Sequence, residues 1–139
     1  MFSEIFKTLL LEHYKNPRNY GIIKDYTVKY RDSNPLCGDM VEIYLKIEKE
    51  KIVDIKFRGH GCVISQAGAS MLTDHLKNKS ISYAKKFSKE DMLKLFKNID
   101  FGPTRIKCAL LPFKAFKMAV YYYINRKGGS NGSRKNRKD

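Results

Sequence analysis

One stretch limits the possible folds more than any other. Val41, Ile43, Leu45 and Ile47 alternate with Glu42, Tyr44, Lys46 and Glu48. After Lys49-Glu50-Lys51 the chain returns through Ile52–Phe57, with Val53, Ile55 and Phe57 on one face. A period of two puts every second side chain on the same side of a strand, so the pattern predicts an antiparallel hairpin with one apolar face. Such a face must be covered, and the rest of the chain offers helices to cover it. The fold class expected is therefore α+β. With 139 residues, 42% of them apolar, the chain suits a single compact domain around one core.

The helices are legible by spacing. Residues 3–16 predict a helix capped by Ser3, with Phe2, Ile5, Phe6, Leu9, Leu10 and His13 on one face, and Asn16-Pro17 stops it. His13 is read as a packing or capping group. A short strand is expected at 26–31, followed by a turn cluster Asp32-Ser33-Asn34-Pro35. Residues 65–78 predict a helix whose Ala67, Gly68, Ala69 and Ser70 allow close approach of another element. A further helix is expected from Ser88 to Lys97. The last carries Phe113, Phe116, Met118, Ala119, Val120, Tyr123 and Ile124 and fades near Arg126. Residues 1–127 are taken as the domain. The Gly/Ser-rich basic stretch 128–139 is taken as a disordered tail.

Charge and apolar patterning narrow the function classes. The formal net charge is +14, and Arg126–Asp139 contributes six basic residues and one acid. A basic surface favours acidic partners. A nucleic-acid module built on the tail and on Tyr121-Tyr122-Tyr123 is disfavoured, because three consecutive helical residues cannot share one face. Ile5–Leu11, interrupted by Lys7, is too short and too charged to cross a membrane, and it has no small-residue cleavage site. No membrane association is expected, and the cytoplasm is the expected compartment.

The chemistry is carried by Cys37, Cys62 and Cys108. An odd number of cysteines argues against a disulfide framework. A single cysteine is as a rule a small core hydrophobe, but each of these sits close to glycine or proline. Cys37 lies in Asn34-Pro35-Leu36-Cys37-Gly38-Asp39, and Cys62 in Gly59-His60-Gly61-Cys62. Cys108 follows Arg105-Ile106-Lys107. Cys37 and Asp39 face the same way if the segment is extended, and Asp39 reads equally as a turn-capping carboxylate. Cys62 falls between a strand and a helix N-terminus, where positive potential favours thiolate. His60 is a further candidate ligand, read as lying outside the coordinating set. For Cys108 two placements stay open: inside the last helix, with Pro112 kinking it, or in a turn before a helix that starts near Pro112. Arg105 and Lys107 would favour its thiolate if close, and read equally as solvated charge. Three thiolates and a carboxylate make a tetrahedral set for zinc or an iron–sulfur unit. With no C-x-x-C present, tertiary structure must bring them together.

These residues resemble the U-type iron–sulfur scaffold family, which includes IscU, SufU and the N-terminal domain of NifU. His13-Tyr14-Lys15-Asn16-Pro17-Arg18-Asn19 is similar to the family's N-terminal signature. Asn34–Asp39, Gly59–Ala67 and Arg105–Leu111 resemble its three ligand motifs. The resemblance implies a three-stranded antiparallel sheet packed against helices. It also implies binding of a [2Fe–2S] cluster or of zinc at Cys37, Asp39, Cys62 and Cys108. Sulfur would come as persulfide from a PLP-dependent cysteine desulfurase, with Cys37 and Cys108 as candidate acceptors, and clusters would pass to recipient apoproteins. The expected role is that of a scaffold rather than a turnover enzyme; the alternative is a SufU-like zinc-bound sulfur relay that activates the desulfurase. Lys107 stands where the IscU branch has His, and the segment between Cys62 and Cys108 is shorter than that of SufU. Phe101-Gly102-Pro103-Thr104-Arg105 replaces the IscU branch's Leu-Pro-Pro-Val-Lys chaperone motif.

Overall fold

The structure is a computed structural model that describes residues 4–36 and 38–127. Strands β1 (Val28–Asn34), β2 (Asp39–Glu48) and β3 (Lys51–His60) form one antiparallel sheet in the order β1-β2-β3. The hairpin forms as its alternation predicts, with a refinement at the turn. Glu48 pairs with Lys51, so only Lys49 and Glu50 form the loop, both at positive φ (51° and 60°). That is the geometry of a tight hairpin whose twist matches its strands. A register shift at Lys46/Ile47 pairs Ile47 with Ile52. Ile52 is therefore in the core, and Val53 leaves the face on which alternation puts it.

Helices cover one side of the sheet. Val28, Tyr30, Val41, Ile43, Leu45, Ile47, Ile52, Ile55 and Phe57 meet α2 (Val63–Leu76) and α5 (Gly102–Lys127) there. Each fully buried aliphatic or aromatic side chain stabilises the fold by roughly 1.5–3 kcal/mol. The small residues of α2 do what their size allows: a Cβ on Gly68 would lie 2.8 Å from the Phe96 ring. That ring follows α4 (Lys89–Leu95), which is closed by a Ser88/Asp91 capping box.

Several local expectations change. Helix α1 (Glu4–Lys15) buries only Phe6, Leu10 and His13 against α2. Ile5 is 83% exposed and Leu9 is also exposed, because a helix lying on a single neighbour hides a narrow stripe. The expected Ser3 cap and Phe2 lie outside the described residues. Asp32, Ser33 and Asn34 continue β1, and the turn begins only at Pro35. A short helix, α3 (Ile81–Lys86), was not anticipated; its Ser80 cap was its one sequence signal. Its carbonyl end is closed from a distance. Lys117 Nζ donates to the carbonyls of Ala84, Lys85 and Phe87 at 3.1, 2.9 and 2.9 Å.

The N-terminal signature motif has a structural role. Ser70 Oγ on α2 shares a 2.7 Å hydrogen bond with His13 Nδ1 and accepts from the Arg18 backbone N–H at 2.8 Å. Burial, and then Arg18, hold the His13 pKa below its usual value. Asn19, at φ 61°, gives its carbonyl to the Phe57 N–H and its side-chain amide to Thr73 Oγ1. The motif thus ties α1 to α2 and to the edge of β3. His13 packs, as its position suggested.

Among the described residues, no helix is long and apolar enough to cross a membrane. Of the three consecutive tyrosines, Tyr122 stacks on Tyr30 and Tyr123 donates to Glu50 at 2.7 Å, while Tyr121 is exposed. Burial and that hydrogen bond push the Tyr123 hydroxyl up to about 12.

Candidate metal centre

The start of β2, the N-terminus of α2 and the early turns of α5 meet near the end of β3. Asp39 is the first residue of β2, two before Val41, so its side chain lies on the helix-covered face. It is 1% exposed. Its Oδ1 accepts the backbone N–H of Cys62 at 3.0 Å, while Oδ2 is buried without a hydrogen-bond partner. A buried carboxylate oxygen with no partner is costly. It is satisfied if a cation sits against it.

Cys62 is the N-cap of α2, and its Sγ accepts from the Ile64 N–H at 3.3 Å. The helix terminus therefore meets sulfur, as the strand-to-helix position implied. Gly61, at φ 124°, makes this junction possible. A Cβ there would lie 2.7 Å from Asp39 Cα and 2.9 Å from its Cγ. Gln66, buried one turn into α2, donates from Nε2 to Met40 O at 3.3 Å and to His60 O at 3.1 Å. It thereby clamps the residue after Asp39 to the residue two before Cys62. Sequence reasoning did not single out Gln66. Its only signal was its place four residues after Cys62, where a helix returns to the same side.

Cys108 is buried inside α5. Of the two placements left open by the sequence, the structure takes the helical one, with Pro112 also inside the helix. Position 112 has no N–H to offer the carbonyl four residues earlier. Arg105 and Lys107 are exposed. Arg105 lines a groove with Leu11 and Val63, and Lys107 lines another with Asn34, Pro35 and Lys114.

Ligand atoms of Asp39, Cys62 and Cys108 all lie within 4.8 Å of one another. Bonds of about 2.0–2.3 Å to a shared tetrahedral zinc ion place ligand atoms roughly 3.3–3.8 Å apart, a spacing these groups reach with at most a small side-chain adjustment. Two sulfurs and a carboxylate oxygen suit zinc and iron alike. Cys37 lies outside the described residues. The turn around it is described: Gly38 N–H donates to Asn34 O, Leu36 N–H donates to Asn34 Oδ1, and Leu36 is 84% exposed. Pro35 and Leu36 form a turn after β1, and the expectation that Cys37 and Asp39 face the same way falls on a residue outside the described ones. His60 is exposed at the rim and is not in the three-residue group.

Comparison with known proteins places the chain in a family. Residues 5–129 match the family described as the NifU-like N terminal domain. A zinc-dependent sulfurtransferase, SufU of Bacillus subtilis, is 37% identical, covering 84% of this chain and 89% of that protein. An iron–sulfur cluster assembly scaffold protein, IscU 1 of Archaeoglobus fulgidus, is 31% identical, covering 89% of this chain and 80% of that protein. The N-terminal part of a nitrogen-fixing NifU-like protein from Brucella abortus superimposes with a TM-score of 0.70, covering 88% of this chain and 96% of that one. At 19% identity, that likeness concerns the fold. Matched over nearly its whole described length, this chain belongs to the NifU-like N-terminal domain family.

Proposed function

We propose that the chain is a scaffold on which iron–sulfur clusters are assembled, with Cys37, Asp39, Cys62 and Cys108 as ligands. The observation that carries this is the close approach of the Asp39, Cys62 and Cys108 ligand atoms around a buried, unpartnered carboxylate oxygen. Cys37 joins the set through its sequence, one residue before the Gly38 that leads into Asp39. Sulfur arrives as the persulfide of a PLP-dependent cysteine desulfurase. Its terminal sulfur passes to a thiolate of this chain, Cys37 or Cys108, and the desulfurase cysteine leaves as thiolate. The cluster is the cargo, handed on to recipient apoproteins. Cys62 is half-buried and Leu36 in the adjoining turn is exposed, so approach from that side suits cargo transfer. The cytoplasm is the compartment we assign.

A second reading has its own support. The Bacillus subtilis relative is named a zinc-dependent sulfurtransferase, and Lys107 stands here where the IscU branch has His. On this reading the four ligands hold zinc and a cysteine relays sulfur.

Anaerobic purification followed by metal and acid-labile sulfide analysis, and then reconstitution with iron and a desulfurase, tests both. Iron and labile sulfide bound together, and lost in Cys108→Ser, support the scaffold. Tight zinc, no labile sulfide, and activation of the desulfurase support the relay. Absence of any metal and of persulfide on every cysteine would refute both.

A further inference from the structure

The outer face of the sheet holds a device that the metal centre does not use. Arg31, Glu42 and Arg58 stand in register across β1, β2 and β3. Glu42 points away from the core, yet it is 0% exposed. Arg58 Nε donates to its Oε1 at 2.7 Å, and the Tyr44 hydroxyl donates to the same oxygen at 3.1 Å. Arg31 Nε and Lys29 Nζ each lie 3.8 Å from Oε2. Three cations thus surround one carboxylate. A surface residue buried in this way serves to hold the guanidinium groups in place. The side chains of Arg58 and Arg31 remain 45% and 39% exposed.

Only half of this face is open. The segment before β1 lays Tyr26 against Tyr44 and pairs Asp25 with Lys46, covering the half nearer the hairpin turn. The ladder lies in the other half. Glu42 is three residues from Asp39 along β2, about 10 Å at the rise of a strand.

We propose that this open half is a docking surface for a protein segment rich in carboxylates. Two guanidinium groups drawn to one buried anion, Arg58 by a hydrogen bond and Arg31 by an ion pair, offer carboxylates complementary charge and donors, and part of their side-chain entropy is already lost before binding. A protein is favoured over nucleic acid for two reasons. The guanidinium pair forms a patch too short to follow a phosphate backbone, and Tyr44, which bonds to Glu42 beside it, is buried and offers bases no stacking face. A partner seated here reaches the rim of the metal centre while leaving the thiols uncovered. The proposal does not depend on what that centre holds.

The test is an NMR titration of the full-length chain at physiological salt with two probes, a twelve-residue Glu-Ser repeat peptide and an oligothymidylate of equal charge. The peptide is expected to shift the resonances of Arg31, Glu42 and Arg58 before any others. In R31Q/E42Q/R58Q, which removes the buried carboxylate together with both guanidinium groups, its affinity is expected to fall at least tenfold. In K89Q, which makes the same net charge change at an exposed residue of α4, it should change less than twofold. Should the triple variant fail to fold, R31Q alone is expected to weaken binding at least threefold. Equal losses in ladder and control variants, or shifts centred elsewhere, would overturn the proposal. So would tighter binding of the oligothymidylate at the ladder, which would assign the surface to nucleic acid.

Discussion

Gly61→Ala puts the geometry of the metal centre to its hardest test. Carbon atoms in contact stand about 3.5–4.0 Å apart. An alanine Cβ at this position would lie 2.7 Å from Asp39 Cα and 2.9 Å from Cγ. The overlap is roughly 1 Å, and one party is backbone, which cannot rotate away. At φ 124° a side chain is also strained, at a cost of roughly 1–3 kcal/mol. If the Asp39 carboxylate gives way, the Cys62 N–H loses a charged acceptor at 3.0 Å, a further cost of about 1.5–3 kcal/mol. The two together come to about 2.5–6 kcal/mol. For a chain of this size that lowers the melting temperature of the metal-free protein by roughly 10–20 °C. The same displacement moves a ligand by several times the roughly 0.2 Å that a zinc site tolerates. Zinc affinity, read by competition with a chromophoric chelator, is therefore expected to fall at least 10–100-fold, the range seen when groups supporting ligands are lost. A Gly61→Ala protein that binds zinc within twofold of the parent and melts within a degree of it would refute the close packing of Gly61 on Asp39.

Three further outcomes are expected. Gln66→Leu removes the clamp between Met40 and His60, so zinc affinity should fall about tenfold while the metal-free protein keeps its α-helical spectrum; unchanged affinity would deny Gln66 a positioning role. Burial lowers the pKa of His13, so the folded state resists its protonation. Its contribution is complete above the usual histidine value of about 6.5 and is lost as pH falls below it. The melting temperature of the metal-free chain should therefore drop between pH 7.5 and 5.5, and drop less in His13→Gln. Some slope will remain, because burial lowers the His75 pKa as well. Lys117→Met leaves three carbonyls at the end of α3 without their donor, at a cost of about 1.5–3 kcal/mol. Hydrogen exchange in α3 should accelerate accordingly, and unchanged protection there would count against the capping role.

Much of this molecule could be read from patterns that act over a few residues. The β2–β3 hairpin follows from strict alternation, and α2 and α4 from periodicity and their caps. The metal centre was legible as a set of residue types beside glycines, because Gly61 and Gly38 mark places where backbone must come close or turn. The errors share one cause. Val53, Ile5 and Leu9 obey their local pattern, but a bulge and a narrow helix contact decide which apolar groups are hidden. The clamping roles of Gln66 and Lys117 had no local pattern, because their partners are carbonyl groups brought to them from other elements.

Local side-chain chemistry was enough to name the thiols and the carboxylate and to predict a one-faced sheet beneath helices. Their meeting was decided elsewhere. For Asp39, Cys62 and Cys108 it needed the start of β2 to lie beside the end of β3, α2 to start against Asp39, and α5 to carry Cys108 in from far along the chain. The same holds for Glu42, which alternation places on the solvent side and three cations on neighbouring strands bury. Residue identity sets what a group can bind. Distance and desolvation, which depend on everything packed around it, set whether it does.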